Sequence, residues 1–424
     1  MRPHRMVLGL LAGLIAGSLV RAAHSPPLLG VAAYVEPIGS LWVGAMRMTV
    51  VPLVISLLFA SIASESSPKG LGRIAIATLG SFLGLLVFSA AVGLLVARPL
   101  IDDMKLAADV SASMRATAGT AATETAALVA KVPGFGSWLT SIVPTNVISA
   151  AANGAMLPVI VFTMLFALAA RRVGDPLRES MISLFTGVAN AMTRIVGWIL
   201  ALAPIGIFAL VFAATSREGM GTGLAGAMGY YVIASASALI LFALLMYPVA
   251  SMVGRIPLGW FTRAVLPAQL VGLCSGSSLA SLPALVEGAR ALELPSPVTG
   301  SVLPLSASTF RVATPITWLM GSLFLAKLYG VSLSGYAMVT IALAGIALSF
   351  AIPAATPGAQ LMLAPLLARH GIPADGVALL IAVDTIPNLM GTVANVTGDM
   401  VVAAVVSRAG VAEEQGEPAS SLDA

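Results

Sequence analysis

GVALLIAVDTIPNLMGTVANVTGDMVVAAVVSR, residues 376–408, has the length of a membrane-spanning helix and the wrong composition for one. Asp384, Asn388, Thr392, Asn395 and Asp399 follow one another at steps of 4, 4, 3 and 4. At about 100° per residue they fall within an arc of roughly 80°, a single polar stripe on a surface made mostly of Ala, Val, Leu and Ile. From Asp384 to Asp399 the stripe runs roughly 22 Å at about 1.5 Å per residue, most of the depth of a hydrocarbon core. Ionisable side chains are costly at that depth, so they turn toward protein or a watery cavity and mark a path for a substrate or ions.

An amphipathic helix on a soluble protein could carry the same stripe, but the rest of the chain excludes that. Of 424 residues, 58% are hydrophobic and 9% charged, and the mean hydropathy of +0.99 lies far from a soluble profile. Moving outward toward the N-terminus, apolar runs cover 224–253, 182–214, 138–170, 74–96 and 41–63. Pro144, Asn153, Gly154 and Pro158 interrupt the 138–170 run and predict a broken or kinked helix. MRPHR followed by MVLGLLAGLIAGSLV has the form of a signal peptide, yet the pattern continues for hundreds of residues, so it reads as the first span. Between 101 and 133 the chain turns polar and Ala/Thr-rich, an expected external loop. The single cysteine, Cys274, excludes an intrachain disulfide framework.

Loop charges set the orientation. Arg2, Arg5, Lys69, Arg73, Arg171, Arg172, Arg178, Arg255 and Arg263 fall on one side if the helices alternate, and Glu36, Asp102, Asp103, Asp109 and Glu124 on the other. The positive-inside rule then places both termini in the cytoplasm, with a polar, disordered tail over 409–424. The net charge of +4 is accounted for by these loops and calls for no nucleic-acid partner.

The last 170 residues behave differently. Residues 258–290 hold two apolar arms around Ser275, Gly276, Ser277, Ser278 and Ser281, each too short to cross. They read as a helical hairpin that enters and leaves on one side. A helix over 298–328 follows, interrupted at SASTFRVATP, and then a second hairpin over 335–370 with Pro353, Pro357 and Gly358 at its tip. The striped helix, 372–408, completes an order of hairpin, interrupted helix, hairpin, interrupted helix. Such paired broken segments point to a transporter's midplane binding site.

Motifs along nearly the whole chain carry a family resemblance: RMTVVPLVISLL at 47–58, IVPTNVISAAANGAMLPVIVF at 142–162, LAPIGIFAL at 202–210, LPAQL at 266–270, SSLASLP at 277–283, VLPL at 302–305 and NVTGD at 395–399. In that order they resemble the dicarboxylate/amino acid:cation symporters, the glutamate transporter family, whose inverted repeats are a worked example of the general rule for transporters. The resemblance implies an all-α polytopic membrane protein with eight transmembrane helices and two re-entrant hairpins, assembled as a homotrimer in the cell membrane. It implies a scaffold within 1–255, to which helices 3 and 6 belong only in part, and a transport core over 256–408 that moves like an elevator.

The resemblance also assigns residues, and some assignments fail. The family's sodium-binding Asn-Met-Asp-Gly-Thr motif falls on Phe310, Arg311, Val312, Ala313 and Thr314, so only the threonine survives. Its ligands on the third helix fall on Phe82, Leu85 and Leu86. On the eighth helix Asp384, Thr392, Asn395 and Asp399 match, with Asn395 and Asp399 the implied cation ligands. The family's substrate-amine aspartate is replaced by Asn388, and its side-chain-reading arginine by Gly391. Without that guanidinium an acidic substrate loses a charge-assisted partner, and without that carboxylate an ammonium loses its counter-charge. Arg311 is a gain; it is expected to bind a substrate carboxylate or to neutralise Asp384 or Asp399. Ser277 and Ser278 offer hydroxyls and amides to a carboxylate. Expected substrate contacts are therefore Ser277, Ser278, Arg311, Thr314, Asp384, Asn388, Thr392 and Asn395. The coupling ion stays open between Na+ at Asp399 and H+, which a desolvated carboxylate can carry. No other cofactor is expected.

Enzymes are the competing class. Asp384 and Asp399 lie roughly 22 Å apart by helical rise, too far to share a proton as a protease dyad. His4, His24 and His370 stand at segment ends, away from the hairpin serines that would need a base. No GxxxxGK[ST] stretch supplies an ATP motor. The expectation is a cation-coupled symporter of a small carboxylate such as an amino acid or dicarboxylate, the alternative being an uncoupled channel or facilitator on the same fold.

Overall fold

The computed structural model describes residues 3–23, 26–64, 68–104, 108–120, 135–216, 224–350 and 360–414, and among them there is helix and no strand. Lipid supplies no hydrogen bonds, so a spanning backbone must satisfy its own amides, which a helix does within one segment. The chain begins with α1 (Pro3–Ala23), α2 (Pro26–Ser64), α3 (Pro68–Asp102) and α4 (Ala108–Thr120). The predicted break over 138–170 yields α5 (Phe135–Ser141), α6 (Val147–Ala152) and α7 (Met156–Ala170). Asn146 caps α6 by accepting from the amides of Ile148 and Ser149 at 2.9 and 3.0 Å.

One expected span, 182–214, is two helices instead, α8 (Asp175–Ala201) and α9 (Ala203–Ser216). Pro204 has no N–H to give the carbonyl of Leu200, and the helix parts there. The Trp42 indole donates to the nearby Ile199 carbonyl at 3.0 Å. Then come α10 (Leu224–Met252), α11 (Leu258–Ser275), α12 (Ser278–Ala291), α13 (Ser296–Thr309), α14 (Thr314–Tyr329), α15 (Gly335–Leu348), a 3-10 turn at Leu361–Leu363, and α16 (Ala364–Arg369). The chain ends in α17 (Val377–Ala382) and α18 (Thr385–Glu414).

The expected interruption of the 372–408 helix falls between Ala382 and Thr385. Pro387 is the cause: it cannot donate to Val383, four residues earlier, but it is tolerated in the first turn of α18. Asp384 stands in the gap, and its carbonyl accepts the Asn388 amide at 2.7 Å. At its far end α18 runs past Arg408 to Glu414. Residues 415–424, and 351–359 with Pro353, Pro357 and Gly358, lie outside the described residues.

Six described stretches are long and apolar enough to cross a membrane: Tyr34–Ser64, Gly72–Asp102, Asp175–Ala201, Ala227–Met252, Ser296–Tyr329 and Thr385–Arg408. The remaining two expected spans contain shorter apolar helices, Arg5–Val20 and Met156–Ala170. The chain is an all-α, multi-pass membrane protein.

Helices α1, α2, α8 and α9 pack together, and α18 is the axis of a second group formed by α3, α10, α11, α12 and α13. In the first group, Gly9, Gly13 and Gly17 of α1 lie directly on α9. A Cβ at Gly9 would come 2.4 Å from the Pro204 carbonyl oxygen, and one at Gly13 2.8 Å from that of Phe208. Helices in lipid associate through such backbone approach. The groups meet where α12 and α13 rest on α2. Lys327 of α14 donates to the Ile101 carbonyl at 3.0 Å and to that of Asp102, placing a cation at the C-terminus of α3.

Candidate functional site

Three broken elements converge on α18. The first is the turn between α11 and α12, two short arms packed on each other. Gly276 ends α11 at φ +60°, a conformation glycine adopts without strain. A Cβ there would also sit 3.1 Å from Asn388 Nδ2, so the turn lies against the start of the stripe. Ser277 Oγ accepts the Ala280 amide at 3.2 Å, capping α12. The Ser278 hydroxyl is buried with no partner. One turn back, a Cβ on Gly272 would lie 3.1 Å from both Ser281 Oγ and Thr392 Cγ2.

The second element is the break between α13 and α14, from Phe310 to Ala313. Its backbone groups are satisfied by side chains from three directions. Asn395 Oδ1 of α18 accepts the Ala313 amide at 2.9 Å. Ser89 of α3 donates to the Val312 carbonyl at 2.5 Å. Ser349, at the end of α15, donates to the Arg311 carbonyl at 3.3 Å. Irregular backbone survives at membrane depth only where protein replaces the missing water in this way.

The third is the gap before α18. There Asp384 Oδ1 accepts from Gln360 Nε2 at 3.3 Å. The stripe therefore changes character along its length: Asn388 is exposed, while Thr392, Asn395 and Asp399 are 1%, 5% and 0% exposed. Both oxygens of the Asp399 carboxylate lack a hydrogen-bond partner. So do the buried Nε and Nη2 of Arg311, although the residue as a whole is only partly covered. The break that carries Arg311 packs on α18 beside Asp399, where a Cβ at Gly398 would lie 3.1 Å from Val312 Cγ1 and 3.4 Å from Phe310 Cε1.

Among the expected substrate contacts, Ser277, Ser278, Asn388 and Thr392 come together at the α11–α12 turn, while Arg311, Thr314 and Asn395 meet at the α13–α14 break. Several are already engaged: Thr392 donates to the Asn388 carbonyl at 2.8 Å, Asn395 holds Ala313, and Ser277 caps α12. Arg47 and Arg194, also inside apolar runs, are exposed and belong to neither cluster. Sequence reasoning missed Gln360, Ser89 and Ser349. It also missed Gln269, which donates to Thr397 Oγ1 at 2.8 Å and accepts from the Tyr247 hydroxyl at 3.1 Å. Gln269 was visible as the polar residue of LPAQL; the two serines gave no signal, because their partners are carbonyls.

The positions on the third and seventh helices where the resemblance implied sodium ligands are apolar at Phe82, Leu85, Leu86, Phe310 and Val312. Phe82 and Phe310 stack with centroids 4.3 Å apart and 11° between planes, both fully buried, and Leu86 is equally covered. None of these side chains offers an oxygen, and the Val312 carbonyl already accepts from Ser89.

Comparison with known proteins identifies the family of the chain. The proton/sodium-glutamate symport protein of Bacillus subtilis (strain 168) is 26% identical over 411 residues, 95% of this chain and 91% of that protein. The proton/glutamate-aspartate symporter of Escherichia coli (strain K12) is 26% identical over 407 residues, covering 95% and 92%. A C4-dicarboxylate transport protein of Anaeromyxobacter sp. (strain K) is 27% identical over 404 residues, covering 95% and 89%. A sequence profile matches residues 3–409, nearly the whole chain, and on that match the protein belongs to the sodium:dicarboxylate symporter family, transporters and not enzymes.

Proposed function

We propose that this protein is a secondary transporter that carries a small carboxylate solute, an amino acid or dicarboxylate, across the cell membrane in symport with a cation, H+ or Na+. The observation that carries the reading is the convergence on α18. A turn with an unpartnered buried hydroxyl, a helix break with an unpartnered guanidinium, and a stripe open at Asn388 and closed at Asp399 share one apolar bundle. Relatives named for glutamate, aspartate and C4-dicarboxylate symport support the solute class. The hydroxyl of Ser278 and the exposed side-chain amide of Asn388 are the groups left to meet a carboxylate. The α11–α12 pair and the α15–α16 region are then the re-entrant hairpins. The core over 256–408 slides as an elevator along a scaffold within 1–255, in a homotrimer with both termini cytoplasmic.

A second reading, an uncoupled anion or solute facilitator, is favoured by one observation: the stacked phenyl rings at positions where the family holds ions. Uptake into proteoliposomes separates the two. A panel of amino acids and dicarboxylates is offered under an imposed cation gradient, and symport requires accumulation above the external concentration. Flux that only ever runs downhill assigns the facilitator, and no flux of any carboxylate refutes the proposal.

A further inference from the structure

We propose that Arg311 is a resident cation, holding beside Asp399 the positive charge that a sodium ion would otherwise bring, so that the carrier works independently of sodium. The inference deepens the proposed function but is argued from the interior of the protein. Asp399 is buried without a hydrogen-bond donor, so its charge needs compensation from a cation. The structure brings one close on the α13–α14 break, which packs on α18 around Asp399. Asn395, one turn earlier, holds the Ala313 amide at 2.9 Å, and a Cβ at Gly398 would lie 3.1 Å from Val312 Cγ1. Arg311, with Nε and Nη2 buried and unpartnered, thus stands near the carboxylate without a direct hydrogen bond to it. A guanidinium is charged under all ordinary conditions and cannot leave, unlike an ion.

The oxygens that the break and Asn395 offer beside Asp399 are engaged in other ways. The Val312 carbonyl accepts the Ser89 hydroxyl, and the Ser349 hydroxyl, bonded chiefly to the Gly345 carbonyl, also lies 3.3 Å from that of Arg311. The Asn395 amide oxygen accepts from Ala313. Stacked Phe82 and Phe310 fill the adjoining space, with Phe350 next to them at 6.2 Å. A hard cation entering here would find the Asp399 carboxylate but few other free oxygens, and it would add a second positive charge beside Arg311.

The test uses the purified full-length protein and begins with its thermal unfolding in detergent, in sodium chloride against choline chloride at equal ionic strength. The midpoint is expected to be the same in both. Arg311→Met, which strands the carboxylate, and Asp399→Asn, which strands the guanidinium, are each expected to lower the midpoint. The Arg311→Met/Asp399→Asn double variant is expected to recover most of the loss, because it removes both charges together. Uptake of whichever carboxylate the protein carries is expected at equal rates with a sodium or a choline gradient. Stabilisation by sodium, uptake driven by sodium, or single losses that simply add in the double variant would each overturn the inference. If no carboxylate is carried at all, the functional proposal fails while the unfolding experiments still decide this one.

Discussion

Replacing Asn395 by Ala tests how the α13–α14 break is held. The Asn395 side chain is 5% exposed and its Oδ1 takes the Ala313 amide at 2.9 Å. In an unbroken helix that amide would donate to the Thr309 carbonyl, four residues back; the break has removed that option. Loss of the acceptor therefore leaves a buried N–H with no water to turn to, at a cost of about 1–3 kcal/mol. Interhelical side-chain bonds in membranes average only about 0.6 kcal/mol, because the unfolded state in lipid finds substitute partners. Here the unfolded segment regains a full helical bond, so the loss is expected in the upper half of the range, about 2–3 kcal/mol. Ser89→Ala strands the Val312 carbonyl, which is better tolerated than an amide, at about 0.5–1.5 kcal/mol. The double variant is expected to depart from the sum by about 0.5 kcal/mol or more, since both residues hold one short break. Unfolding in mixed micelles titrated with sodium dodecyl sulfate measures all three. An Asn395→Ala protein that unfolds within about 0.5 kcal/mol of wild type would refute the account of the break.

Gly13→Leu is expected to lower the unfolding midpoint sharply and to deplete folded protein in membranes, as its Cβ meets the Phe208 carbonyl at 2.8 Å. Gly84→Leu, where a Cβ has open space, is the control expected to stay near wild type in the same titration. Phe310→Ala empties half of a buried ring stack and is expected to cost about 3–5 kcal/mol, read by thermal unfolding. Gly391→Arg is expected to shift uptake competition toward dicarboxylates. A Cβ at Gly391 meets Ala313 at an ordinary 3.5 Å, and the added guanidinium gives a second carboxylate a partner.

The parts of this protein that sequence revealed are those whose chemistry conflicts with their setting. Asp384, Asn388, Thr392, Asn395 and Asp399 stood out because polar groups are rare in an apolar helix, and the Ser-rich centre near Gly276 because its arms are short. Helix ends were harder. Pro387 and Pro204 were in plain view, but a proline that opens a new helix and one that kinks an old one read alike until neighbours show which carbonyl has been released. Least legible were the partners of the released groups. Ser89 lies 223 residues from the carbonyl it satisfies, and nothing local to a lone serine in an apolar run announces such a contact. The place of Arg311 was open for the same reason, since both aspartates lie on the same stripe and only packing shows that the α13–α14 break rests nearer Asp399.

The α1–α9 seam has a consequence for how the protein can be handled. With Gly9 and Gly13 set against the carbonyl oxygens of Pro204 and Phe208, and Gly17 against that of Phe212 and the Thr215 side chain, the two helices meet in close backbone contact. A tag that extends the chain before Pro3 leaves that seam intact. A heterologous anchor swapped in for residues 3–23 would have to reproduce the same small-residue spacing, or it would leave a strip of α9 open to lipid.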